Sequence, residues 1–166
     1  MSFPVFFDTC TLFGETTSDL FLCLAEQQLF VPYWSDGVLE ELNRTLSPRI
    51  GQEKVEHRIQ LMRQHFPNAE ITGYEKLIET MTCDEGDKHV LAAAAYCSAE
   101  TLVTFNIKDF PAESTAPLHI EIKHPDDFLL DLFDLAHGQV TQICYDIFSS
   151  YQSYPQTPED YAIALE

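Results

Sequence analysis

A chain of 166 residues, 45% hydrophobic and 12% aromatic, suits one folded domain able to bury a core without disulfides or structural metal. A formal charge of −18 argues against nonspecific nucleic-acid binding by the surface as a whole, since phosphate contact relies on Lys and Arg. Five scattered cysteines without a Cys-x-x-Cys pair argue against a disulfide framework, and no apolar run approaches the roughly 20 residues of a membrane span. A soluble, cytoplasmic chain with no membrane partner is expected.

In chain order, Phe3-Pro4-Val5-Phe6-Phe7 reads as a strand that ends in Asp8-Thr9-Cys10-Thr11. Ser18 is the expected N-cap of a helix carrying Leu20, Phe21, Leu24 and Ala25 on one face. Phe30 to Tyr33 is a short buried strand. Ser35 then caps a helix whose apolar residues Val38, Leu39, Leu42 and Leu46 recur at helical spacing. At roughly 100° per residue, Glu41 lies nearer that stripe than Glu40, so Glu41 is the acid expected to point inward.

Val55, Ile59, Met62 and Phe66 form the next helical stripe, stopped by Pro67-Asn68. Ala69 to Thr72 predicts a strand, Tyr74 to Met81 a helix, and Asp84 to Cys97, with four consecutive alanines, a helix lying close against a sheet. Thr101 to Phe105 is a strand that ends in Asn106-Ile107-Lys108-Asp109. A Pro-bearing loop from Asp109 to Pro117, a strand at 120–122, a helix opened by Pro125-Asp126-Asp127 and a last helix after Gly138 follow. Strands alternating with helices predict a three-layer α/β/α domain over residues 1–151 with a mostly parallel sheet of four or five strands. Residues 152–166 form a polar, Pro-rich tail, packed on the same domain or on a second copy.

Five of the nine basic residues, Arg44, Arg49, Lys54, Arg58 and Arg63, fall between positions 44 and 63, opposed there only by Glu53 and Glu56. That window carries +3 and the rest of the chain −21. It reads either as a ridge that guides a polyanion, with Arg44, Lys54, Arg58 and Arg63 as candidate RNA contacts, or as one solvated helix face.

The chemistry lies in the acids. Asp8 and Asp109 follow strand ends, the edge where open α/β sheets bind ligands. Asp87 heads the helix that feeds the second of these strands, and Glu41 looks inward from its own helix. Carboxylates crowded together cannot all stay ionised unless a cation holds them, and hard oxygen donors suit Mg²⁺ or Mn²⁺. Phosphodiester hydrolysis is the reaction such a site favours. Each acid alone also has a structural reading, as a turn cap, a solvated side chain or a partner of a helix dipole.

Four blocks carry a family resemblance: Phe6 to Leu12, Tyr33 to Leu42, Asp84 to Ala94 and Leu102 to Pro111. In this order, the chain resembles the PIN-domain nucleases of the VapC-like toxin branch. The resemblance implies a metal-dependent endoribonuclease with Asp8 as central ligand, Asp87 and Asp109 as direct or water-mediated ligands, and Glu41 as a ligand or orienter of the attacking water. Ser35, Thr104 and Asn106 match supporting polar positions, whereas Cys10 stands where many PIN domains place Asn. RNA as substrate, a small antitoxin that blocks the acidic crevice, and a homodimer are the implied partners.

His89 lies near enough in sequence to Asp87 to approach the site; His57, His65, His119, His124 and His137 read as structural or surface groups. Two other readings remain open: a noncatalytic PIN-fold regulatory module, and a phosphatase with Asp8 as covalent nucleophile. The latter usually needs a second Asp two positions on, where Cys10 stands.

Overall fold

A computed structural model describes residues 2–150. The 151/152 boundary and the tail therefore lie outside the described residues. Five short strands, β1 (Pro4–Phe7), β2 (Val31–Ser35), β3 (Glu70–Ile71), β4 (Thr101–Val103) and β5 (Glu121–Lys123), make one sheet in the order β3-β2-β1-β4-β5. Every pairing is parallel, which sharpens the expected mostly parallel sheet of four or five strands.

The chain winds outward from β1 through α1 (Glu15–Glu26) to β2, then through α2 (Asp36–Ile50) and α3 (Gln52–His65) to β3. It returns by α4 (Glu75–Ile78) and α5 (Lys88–Tyr96) to place β4 on the other side of β1. Short α6 (Ala112–Thr115) leads to β5, and α7 (Pro125–Leu135) and α8 (His137–Ser150) follow. Crossovers to opposite sides of β1, which in parallel sheets are nearly always right-handed, put helices on both faces and give three α/β/α layers. The strand order reverses between β1 and β4, and the carboxyl ends of strands at such a switch point are where open α/β sheets bind ligands.

Alternation along β1 divides its side chains between the layers. Phe7 joins Phe21 of α1, Phe30 and Phe128 of α7 in an aromatic cluster with centroid separations of 5.2–6.1 Å. Val90 to Ala94 of α5 are all buried, and the small alanines let this helix pack close. Trp34, at the end of β2, is fully buried with its ring edge-to-face against Phe66. Gly51 joins α2 to α3 at φ 97°, a backbone conformation that L side chains rarely adopt.

Four local expectations change. Ser18 is not a cap: its N–H already bonds Gly14 O at 2.9 Å, so α1 starts at Glu15, and the buried Ser18 hydroxyl has no hydrogen-bond partner among the described residues. The segment from Asp84 is a 3-10 turn (Glu85–Asp87) before α5 begins, and Tyr74 to Met81 holds only the single turn α4. The Pro-bearing loop after Asp109 contains α6 and a further 3-10 turn (Ala116–Leu118). Ser35 does cap α2, accepting Val38 N–H at 3.0 Å.

Candidate active site

Asp8 stands directly after β1, its own N–H tied to Val103 O of β4 at 3.1 Å. Its two oxygens have different donors: Thr9 N–H reaches Oδ1 at 2.7 Å, and Thr104 Oγ1 reaches Oδ2 at 2.8 Å. Asp8 is nearly fully buried, and burial raises its carboxyl above the usual range against the opposing effect of these hydrogen bonds. A carboxylate held this firmly while short of solvation is prepared for a positive charge.

The other three acids converge on it from separate elements. Glu41, on α2, accepts Thr9 Oγ1 at 3.0 Å. Asp87 caps α5, and Asp109 ends a 3-10 turn (Ile107–Asp109) after β4. Asp87 is pushed up to about 6, first by desolvation and then by the negative charges of Asp8, Asp109, Asp84 and Glu41. All four predicted acids therefore share one electrostatic neighbourhood, joined by Asp84.

The donor set is entirely oxygen and anionic, chemistry that suits a hard divalent cation. Among the described residues, no three His, Cys, Asp or Glu side chains are closed into a metal-holding group. A cation that keeps several waters fits such spacing better than one needing an all-protein cage.

The supporting residues divide. Thr104 bonds Asp8 directly, but Asn106 is exposed and acts through its backbone N–H, which donates to Thr104 Oγ1 at 3.0 Å. Ser35 is committed to the α2 cap and makes no hydrogen bond to an acid among the described residues. Cys10 acts through its sulfur: Sγ accepts Phe105 N–H at 3.4 Å and lies 3.6 Å from Asp8 Oδ2. Burial, followed by the Asp8 charge, pushes its thiol up to about 11, so Cys10 is a neutral clip rather than a nucleophile.

Sequence reasoning passed over Thr9 and Gly37. Thr9 is the one residue whose backbone holds Asp8 while its side chain holds Glu41. Gly37 sits in the first turn of α2, where alanine would favour the helix; that anomaly was the available signal.

The basic window also divides. Arg44, Arg49 and Lys54 are exposed, while Arg63 pairs with Glu70 at 2.7 Å. Arg58 is turned inward, its guanidinium donating to Leu12 O, to Phe13 O at 3.2 Å and to Gly14 O at 3.4 Å. It ties the loop after β1 to α3, a structural duty distinct from the RNA contact expected of it. Arg58→Gln is expected to cost about 1–2 kcal/mol, because partly buried carbonyls lose charged donors; urea unfolding reads the loss.

Asp87 gives a pH-dependent expectation. A carboxyl raised in the folded state from 3.8 to about 6 contributes stability that is complete below pH 4 and is lost as pH rises through 6. Without added metal, Asp87→Asn should melt about 2–4 °C above wild type at pH 7.5. This corresponds to about 1 kcal/mol after discounting for partial exposure. The gap should close below pH 4, as thermal melts across that range would register.

Comparison with known proteins agrees with this architecture. The family model described as PIN domain matches residues 4–108, and that of the VapC50 C-terminal domain matches 125–166. "Putative ribonuclease VapC50" of Mycobacterium tuberculosis (strain ATCC 25618 / H37Rv) is 41% identical over 93 residues, 56% of this chain and 55% of that protein. The match thus spans about half the length of the relative. A chain of the crystal structure of VapBC2 from Rickettsia felis, bound to a DNA fragment from their promoter, superposes with a TM-score of 0.50 at 18% identity. The superposition covers 73% of this chain and 98% of that one, a likeness of fold. Since the PIN model covers well over half the sequence and ends one residue before Asp109, the chain belongs to the PIN-domain family, with its similarity directed toward VapC proteins.

Proposed function

We propose that this chain is an endoribonuclease that hydrolyses RNA phosphodiester bonds with Mg²⁺ or Mn²⁺, and that it acts in the cytoplasm as the toxin of a toxin–antitoxin pair. The observation that carries the reading is the gathering of Asp8, Glu41, Asp87 and Asp109 at the carboxyl ends of β1 and β4, with Asp8 and Glu41 bridged by Thr9; there desolvation, and then the charges of Asp8, Asp109, Asp84 and Glu41, raise the Asp87 carboxyl to about 6. Four carboxylates assembled there from four elements repel one another, and a bound cation offsets that repulsion. VapC50, whose name describes a ribonuclease, and the PIN family model support the same class of chemistry.

Asp8 would be the central ligand, with Asp87 and Asp109 holding the cation directly or through water. Glu41 would bind it or orient the attacking water. When bound, the cation supplies Lewis acidity toward the phosphodiester and compensates the charge that grows in the transition state. Thr9 and Thr104 hold the two oxygens of Asp8 in a fixed plane, and Cys10 links the loops after β1 and β4. Exposed Arg44, Arg49 and Lys54 give the RNA backbone a cationic approach on an otherwise acidic molecule. The same acidity favours a small antitoxin that presents a basic segment to the crevice, and a homodimer is the proposed assembly.

The test is cleavage of a panel of structured and single-stranded RNAs by rigorously purified protein in Mg²⁺, Mn²⁺ or EDTA. Cutting in either metal and none in EDTA is expected. Cutting unaffected by EDTA would remove the cation from the mechanism, and no cutting under any condition would remove the nuclease reading.

A further inference from the structure

Glu41 is held at one of its two oxygens. Thr9 Oγ1 donates to Oε2 at 3.0 Å from the 3-10 turn (Thr9–Leu12) after β1, and His89 Nε2 stands 3.7 Å from the same Oε2, from the first turn of α5. Oε1 has no protein hydrogen-bond partner among the described residues. Both neighbours therefore act on one oxygen and leave the other for water or cation.

The hold depends on the missing side chain at residue 37. A Cβ there would stand 3.2 Å from His89 Nδ1 and 2.8 Å from the Tyr74 hydroxyl, closer than real Cβ contacts normally come. That hydroxyl is itself fixed, donating to Asp36 Oδ1 at 2.8 Å, while Gly37 N–H takes the same oxygen at 2.8 Å. Gly37 lies in a helix, at a place where no unusual backbone angle calls for glycine. Its helical cost, roughly 0.5–1 kcal/mol against alanine, is thus explained by the approach of His89 and Tyr74.

We propose that Thr9 and His89 are paired positioning residues for Glu41, fixing Oε2 so that Oε1 faces the reaction, and that Gly37 is the opening through which His89 reaches it. The catalytic part rests on the nuclease reading; the hold on Glu41 does not. Thr9→Val keeps the side-chain shape and the backbone N–H to Asp8 but removes the hydroxyl donor. It should lower kcat for Mn²⁺-dependent RNA cleavage about tenfold with KM little changed, and Thr9→Ser should restore most of the loss. His89→Ala and Gly37→Ala should lose a similar factor, while Gly37→Ala retains its thermal stability once Tyr74→Phe relieves the hydroxyl contact.

The deciding measurement repeats Thr9→Val and His89→Ala in a Glu41→Gln background and records the imidazole ¹⁵N shifts of His89 with and without Glu41→Gln. Losses that vanish in that background, with a His89 Nε2 resonance that moves, support the hold. Losses that persist there, or an unmoved resonance, overturn it. If wild type cuts no RNA, the nuclease reading fails, and the resonance alone decides: movement retains the hold on Glu41 and no movement ends it.

Discussion

Asp8→Asn is expected to lower metal-dependent RNA cleavage by about a thousandfold. Removing a group that merely supports a metal ligand typically costs 10–100-fold, and Asp8 is proposed as the ligand on which the other acids converge, so the loss should exceed that range. The substitution is nearly isosteric, its carbonyl oxygen can still accept Thr9 N–H, and it removes a desolvated charge. The variant should therefore melt no lower than wild type. Initial rates in Mn²⁺, paired with thermal melts, separate the two effects, and added Mn²⁺ should raise the melting temperature of wild type but not of the variant. A residual rate within tenfold of wild type would remove Asp8 from direct participation.

Phe128→Ala should cost about 3–5 kcal/mol, lowering the melting temperature by about 10 °C. Phe128 is almost wholly buried, with its ring 5.2 Å from Phe30, 5.6 Å from Phe21, 6.1 Å from Phe7 and 6.5 Å from Phe3. It is thus the point at which α7 closes the layer formed by β1 and α1. Truncation to alanine leaves a cavity that four aromatic rings cannot collapse to fill. The helix also falls in the segment matched by the VapC50 C-terminal model rather than the PIN model. Denaturant unfolding gives the measure: a cost below about 1 kcal/mol would make α7 an appendage to the preceding fold, whereas the expected cost makes it part of that fold's core.

The layered parallel fold was legible because β1, β2 and β4 are short, mainly apolar runs bounded by polar turns, and each main helix repeats its apolar residues at helical spacing. Ser35 and the Pro125 helix start were readable from local chemistry that acts within a few residues. Ser18 misled because serine at a helix start and serine inside its first turn look alike; only the Gly14 carbonyl distinguishes them. The acids were visible as strand-end and helix-start carboxylates, and Thr104 as a support through the family resemblance, but the roles of Thr9 and Cys10 in holding them were not. In sequence, Thr9 looks like an ordinary residue after a strand and Arg58 like surface charge, whereas Thr9 bridges Asp8 and Glu41 and the Arg58 guanidinium lies among the carbonyls of residues 12–14. Such contacts depend on side-chain reach across the fold, which local periodicity does not encode.

The sheet order has a consequence for the newly synthesised chain. The site requires β4 beside β1, and the Thr104 hydroxyl that fixes Asp8 comes from 96 positions further along. Pairing so distant in sequence carries a large loop-closure penalty and tends to form late. While the polypeptide is still emerging from the ribosome, Asp8 and Glu41 already exist but have neither Thr104 nor Asp109 to complete their arrangement. The fold thus builds in a delay: the chain must be translated through its second acidic strand end before the four carboxylates can meet.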